Sequence, residues 1–159
     1  MQGIKTRIIA ALGALIFLPV APVQAAQPRA VRDADLQPYT IVDGSIARSL
    51  TGASGDPARG QAVILDRKLG NCLSCHNIPI PNAADQGNVG PNLSGVGKSL
   101  SAGQLRLRVV NMKVIDPQTI MPAYYRVDGL NGVEKEFVGK SILTAQQIED
   151  LVAYLKTLK

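Results

Sequence analysis

The chain has 159 residues, a formal net charge of +5 and 46% hydrophobic residues, but no tryptophan and a single histidine. This length suits one domain. The positive charges are dispersed, so nothing in the sequence supports nucleic-acid binding. Aromatic residues make up only 4% of the chain, which leaves a core poor in flat apolar side chains.

The first 25 residues have the three parts of a secretory signal peptide. Lys5 and Arg7 form a positively charged start, an apolar stretch follows, and a small-residue cleavage site ends at Ala25. The apolar stretch is short for a membrane span, although an uncleaved anchor is an alternative. We expect cleavage after Ala25 and an exported mature chain of residues 26–159 without a membrane span.

Residues 26–55 are polar and interrupted by proline and glycine. We interpret this N-terminal extension as extended chain that wraps the following domain. A disordered leader is the alternative, because chain termini are often poorly ordered. The domain itself is expected to cover residues 56–159.

A first helix is expected to begin after Asp56, a good N-cap residue, with Pro57 at the first helical position. Gly70 suits a helix stop. Gly60 is unusual inside a helix, and a residue this small would let another helix cross closely. The apolar side of the helix would consist of Ala62, Val63 and Leu65.

The pentapeptide Cys72-Leu73-Ser74-Cys75-His76 contains both cysteines and the only histidine. C-x-x-C-H is typical of c-type haem attachment, in which two thiols become thioethers and the histidine binds the iron. Zinc would need a fourth ligand, a thioredoxin-like pair would need a βαβ pattern, and a disulfide would leave His76 unexplained. The motif therefore predicts one covalently bound haem c, with Cys72, Cys75 and His76 as binding residues. Such attachment is expected outside the bacterial cytoplasm, which places the exported chain in the periplasm.

The segment 77–100 is rich in proline and glycine and is expected to be a loop. The turn at Pro91 is the natural source of a backbone carbonyl for the second N–H of His76, although a plain turn is the alternative. Residues 95–99 resemble the end of a phosphate-binding loop. However, Asn92 stands where that motif requires glycine, so we reject nucleotide binding.

Two further helices are indicated by capping boxes. Ser101 and Gln104 begin a middle helix, which should end before Asp116. Thr144 and Gln147 begin the last helix, in which apolar residues recur at helical spacing. The segment 123–142 between them could be a loop or a small hairpin.

A second iron ligand has two candidates in the mature chain. Met121 precedes Pro122 in a loop that can approach the iron from the face opposite His76. Met112 lies on the apolar side of the middle helix, where we expect it to pack in the core. We therefore predict His76 and Met121 as the axial ligands. Met112 or an open sixth site remains an alternative.

The order of these elements resembles the class I cytochromes c, an all-α family. The matching order is a helix, C-x-x-C-H, a G-P-N-L loop, a middle helix, an M-P loop and an amphipathic last helix. The resemblance implies that the first and last helices cross, with Gly60 meeting Tyr154.

A narrower resemblance is to the SoxX family, the small monohaem subunits of the SoxAX sulfur-oxidising cytochromes. It is carried by the segments 49–56, 70–73, 90–96 and 120–127. It implies a heterodimer with the larger haem subunit, SoxA, that couples thiosulfate to a cysteine of the SoxYZ carrier. Such a complex is an L-cysteine S-thiosulfotransferase. Its substrate chemistry would lie on the partner, so this chain would contribute no catalytic residue and would pass electrons to a downstream acceptor. A free class I cytochrome c that carries electrons between a periplasmic dehydrogenase and an oxidase is the alternative.

Overall fold

The first and last helices cross at Gly60 in the computed structural model. The model describes residues 36–159 and the backbone of residues 29–31. The expected signal peptide and its cleavage site lie outside these residues. The helices are α1 (Pro57–Leu65), α2 (Val96–Ser99), α3 (Ala102–Asn111) and α4 (Ala145–Leu155), and the strands are β1 (Arg29–Val31) and β2 (Tyr39–Ile41). Short 3₁₀ turns are formed by Cys72–Ser74, Met112–Val114 and Lys135–Phe137.

The contact between α1 and α4 requires glycine at position 60. A Cβ atom there would collide with the backbone carbonyl of Asp150 and would lie 2.8 Å from Cβ of Tyr154. The expected crossing of the two helices at Gly60 and Tyr154 is therefore confirmed. It brings the segment after α1 against the C-terminal part of the chain.

Helix α1 begins as predicted but ends earlier. The Asp56 side chain accepts a hydrogen bond from the Arg59 amide at 2.9 Å, as an N-cap should. The helix ends at Leu65, so the prediction that Gly70 stops it is wrong. The Asp66 carboxylate accepts a hydrogen bond from the Lys68 amide at 2.8 Å, and this local turn competes with continued helix.

The buried side of α1 also differs from the prediction. Val63 and Ile64 are buried together with Gly60, whereas Ala62 is exposed and Leu65 is 45% exposed. The tight crossing at Gly60 sets which side of the helix faces α4. The prediction that Ala62 and Leu65 belong to the buried side was therefore wrong.

Both capping boxes are confirmed. Gln104 donates its amide to Ser101 Oγ at 3.2 Å and accepts from the Ser101 amide at 2.9 Å. Thr144 and Gln147 form the same pair of bonds at 3.2 and 2.8 Å. Helix α3 continues into a 3₁₀ turn that ends before Asp116, as expected.

Two loop regions hold most of the remaining chain. The segment 77–100, expected to be entirely loop, contains the four-residue helix α2. The segment 123–142 contains one 3₁₀ turn and no strand in its fully described length. In the described part of the chain, no helix is long and apolar enough to cross a membrane.

The described part of the N-terminal extension lies on α3 and α4. Strand β2 pairs with β1 in antiparallel register, and Ile46 and Leu50 are buried in the same core as the helices. The Ile46 amide donates to the Gly103 carbonyl at 3.0 Å. The extension therefore covers part of the helical core as a packed strap.

A buried ion pair joins this strap to both helices. Arg106 of α3 and Glu149 of α4 form two hydrogen bonds, of 2.8 and 2.7 Å, and their side chains are 7% and 3% exposed. Arg106 also donates to the Ile46 carbonyl at 2.6 Å, and Glu149 accepts from the Leu50 amide at 2.8 Å. Every member of this polar cluster therefore has a partner, which buried charges require.

Candidate haem site

The attachment motif forms a single tight turn that brings its three functional side chains together. Asn71 adopts a left-handed conformation with φ 47°, and the 3₁₀ turn Cys72–Ser74 follows it. The backbone amides of Cys75 and His76 both donate to the Cys72 carbonyl, at 3.2 and 2.9 Å. Both cysteines are free thiols and partly buried, so no disulfide joins them.

The His76 ring is held from two sides by the loop that precedes α2. Its Nδ1 atom lies 2.8 Å from the Pro91 carbonyl oxygen. A carbonyl only accepts, so Nδ1 donates this hydrogen bond and Nε2 is the ring nitrogen left to bind a metal. Gly90 lies flat against the ring, where an added Cβ would come within 2.6 Å of Nδ1. The predicted hydrogen bond to the Pro91 carbonyl is thus present.

These residues open onto one cavity of about 310 Å³. Cys72, Cys75, His76 and Met121 all line it, although they lie up to 49 positions apart in the sequence (121 minus 72). Its apolar walls include Leu93, Val96, Leu100, Leu105, Val109 and Leu155. The cavity therefore brings together every residue that the sequence singled out as a direct haem contact.

The loop that carries Met121 is tied to the end of α3. The Met121 amide donates to Thr119 Oγ1 at 3.2 Å, and Lys113 Nζ donates to the Thr119 carbonyl at 2.6 Å. Met112 also lines the cavity from the C-terminal end of α3 and is only partly buried. The expectation that Met112 packs in the core was therefore wrong, because α3 turns this residue toward the cavity.

The Cytochrome c family model matches residues 57–159. The chain belongs to the cytochrome c family. A chain in the crystal structure of SoxXA from P. pantotrophus is 42% identical in sequence and superposes with a TM-score of 0.70. The match covers 76% of the present chain and 94% of that chain. A search among curated proteins finds no match.

Membership of this family establishes a covalent haem c and a role in electron transfer, on the all-α fold of the class I proteins. The single C-x-x-C-H motif, with Cys72 and Cys75 as its pair of thiols, accounts for one haem. The cavity fits this group, because paired thiols, an imidazole and thioether sulfurs face a largely aliphatic interior. Burial raises the pKa of the Cys72 thiol to about 12, as expected for a sulfur inside an apolar wall.

Two cavity residues were missed in the sequence. The hydroxyl of Tyr124 donates to the Gly70 carbonyl at 2.7 Å, and burial raises the pKa of this phenol. This bond joins the methionine loop to the segment just before Cys72. Arg108 also lines the cavity, from α3. The sequence could have indicated this position, because Arg108 lies four residues before Met112 and residues four apart share a helix face.

Proposed function

We propose that this chain is the SoxX-type subunit of a periplasmic SoxAX complex, in which it accepts electrons and passes them on. The proposal is carried by the convergence of Cys72, Cys75, His76 and Met121 on one apolar cavity. The 42% identity to a chain of SoxXA supports the assignment to this particular complex. SoxA is then the partner, and SoxYZ carries the substrate cysteine.

Different residues of the cavity would attach the haem and bind its iron. Cys72 and Cys75 would hold it covalently, and His76 Nε2 and the Met121 sulfur would bind its iron. The Pro91 carbonyl fixes the tautomer and orientation of the imidazole. When bound, the haem supplies one-electron oxidation and reduction at its iron. If His76 and Met121 both bind the iron, no coordination position would remain for a substrate, which suits a relay.

The protein contributes fixed geometry and exclusion of water. The turn at residues 72–76 and the Gly90–Pro91 segment hold the imidazole on one side. Tyr124 and the anchored Thr119 hold the methionine loop on the other side.

Joining a thiosulfate sulfur to a cysteine sulfur releases two electrons, whereas a chain with one haem accepts one electron at a time. We therefore place bond formation on the partner.

Export fits the same function. The predicted signal peptide of residues 1–25 would deliver the chain to the periplasm, where haem c is attached. Residues 26–55 would then form the extension and residues 56–159 the cytochrome domain. The partner would dock where the loops around Cys72 and Met121 surround the haem edge, using the extension and the segment 123–142.

The partner is tested by native purification. We expect this chain to elute with a second haem protein in equal amount and to remain bound at high salt. Elution as a single haem-stained monomer would contradict the complex and would favour a freely diffusing cytochrome c. Hydrogen exchange should show protection of the segment 123–142 in the complex, and no protection there would exclude this docking face.

The axial ligand is tested separately with two matched variants. We expect Met121→Ala to abolish the charge-transfer band of thioether-ligated ferric haem and Met112→Ala to leave it intact. Pyridine haemochrome spectra of both variants check that the haem is still covalently attached. A band retained in Met121→Ala but lost in Met112→Ala would reverse the assignment.

A further inference from the structure

Arg108 is the only permanently charged side chain among the described residues that line the haem cavity. It lies on α3 between Leu105 and Val109, which also line the cavity. Arg108 is therefore the one cationic residue among the described residues of a lining that is otherwise largely aliphatic. Where a bound haem would displace water from this side chain, an anion or several acceptors must satisfy its charge.

The protein satisfies only part of this guanidinium. Arg108 is partly buried, and one of its terminal nitrogens donates to the Gln104 carbonyl at 3.0 Å. Among the described residues, Arg108 forms no ion pair within 4.0 Å, whereas Arg59 and Arg106 do. An arginine offers five N–H donors in a planar fork, so most of its donors remain available to water or to a ligand in the cavity.

We infer that Arg108 binds a carboxylate of the haem and thereby raises the reduction potential of this cytochrome. A haem carries two propionate carboxylates, and a guanidinium recognises a carboxylate through two parallel hydrogen bonds. Reduction adds one negative charge at the iron. A nearby cation, or a propionate neutralised by one, therefore favours the reduced state. Arg108 is thus a positioning residue that sets the potential at which the chain accepts electrons.

This inference deepens the proposed function, on which it rests for its meaning, because the potential determines which donor can reduce the chain. The potential is measured on the isolated haem-loaded chain without a partner. If the native purification finds no partner, the measured potential can still be interpreted. If the potential does not shift, the SoxAX assignment is unaffected.

The test compares Arg108→Gln with Arg48→Gln by spectroelectrochemical titration of the haem-loaded protein. Arg48 is exposed in the extension and does not line the haem cavity, so its variant loses the same charge elsewhere. We expect Arg108→Gln to lower the reduction equilibrium constant about tenfold, which is ~59 mV for one electron. Arg48→Gln should remain close to the wild type.

Two further readouts separate this role from a structural one. Arg108→Lys keeps the charge but loses the fork, so we expect about half of the potential shift, with unchanged covalent haem content. A thermal unfolding curve reports any loss of packing. A lowered melting temperature with a wild-type potential in Arg108→Gln would overturn the inference. If Arg108→Gln does not accumulate, Arg108→Met removes the same charge with an unbranched side chain, and a wild-type potential in that variant would overturn the inference equally.

Discussion

Replacing Glu149 by alanine should cost more stability than removal of any exposed acidic residue. The change removes three hydrogen bonds of 2.7–2.8 Å, two from Arg106 and one from the Leu50 amide. It also leaves the Arg106 guanidinium in a site where the side chain is only 7% exposed, with the Ile46 carbonyl as its remaining partner. Breaking a buried pair in this way costs about 3–5 kcal/mol of unfolding free energy.

The measurement is denaturant unfolding of the haem-loaded protein at pH 7, followed by far-ultraviolet circular dichroism. Glu136→Ala, at an exposed position, is the control and should change the free energy by less than about 0.5 kcal/mol. The double variant Arg106→Met/Glu149→Leu should be more stable than Glu149→Ala, because no uncompensated charge is left. A loss below about 1 kcal/mol in Glu149→Ala would show that the cluster does not stabilise the fold.

Three other perturbations test the crossing, the imidazole and the acid response. Gly60→Ala should lower the free energy of unfolding by about 1–3 kcal/mol, because overpacking outweighs the ~1 kcal/mol gained in helix propensity; a stabilised variant in denaturant unfolding would contradict the close crossing. Gly90→Ala should displace the His76 ring and change the visible spectrum of the haem protein, so an unchanged spectrum would exclude the contact. The Arg59 guanidinium lowers the pKa of Asp150 to about 2 from its ordinary 3.8. The stability that this carboxylate contributes is therefore complete above about pH 4 and is lost as the pH falls toward 2. Between these two pH values, the melting temperature of Asp150→Asn should fall by less than that of the wild type.

The sequence predicted helix starts correctly where a side chain hydrogen-bonds to the backbone of its own first turn. The capping boxes at Ser101 and Thr144 placed the starts of α3 and α4, because both depend on residues only three positions apart. The end of α1 was missed, since a glycine at position 70 is a weaker stop than the turn that Asp66 closes with its own side chain. Helix α2 is too short to produce a periodic pattern.

The candidate site could be predicted from the sequence where its functional residues belong to one short motif. The C-x-x-C-H turn and the single histidine left few alternatives for the haem contacts. The orientation of Met112 toward the cavity depends on how α3 packs, which no local pattern records. The burial of Arg106 and Glu149 was equally hidden, because charged helix residues normally face solvent and this pair meets only after α3, α4 and the extension assemble.

The polar cluster around Arg106 also bears on where this protein can be cut. Its Ile46 carbonyl and Leu50 amide come from the extension, so a polypeptide trimmed to residue 56 would retain two enclosed charges with fewer acceptors and donors. Such a fragment should be prone to aggregation and digestion. Limited proteolysis of the intact cytochrome should accordingly spare the peptide bonds next to the buried residues Ile46 and Leu50.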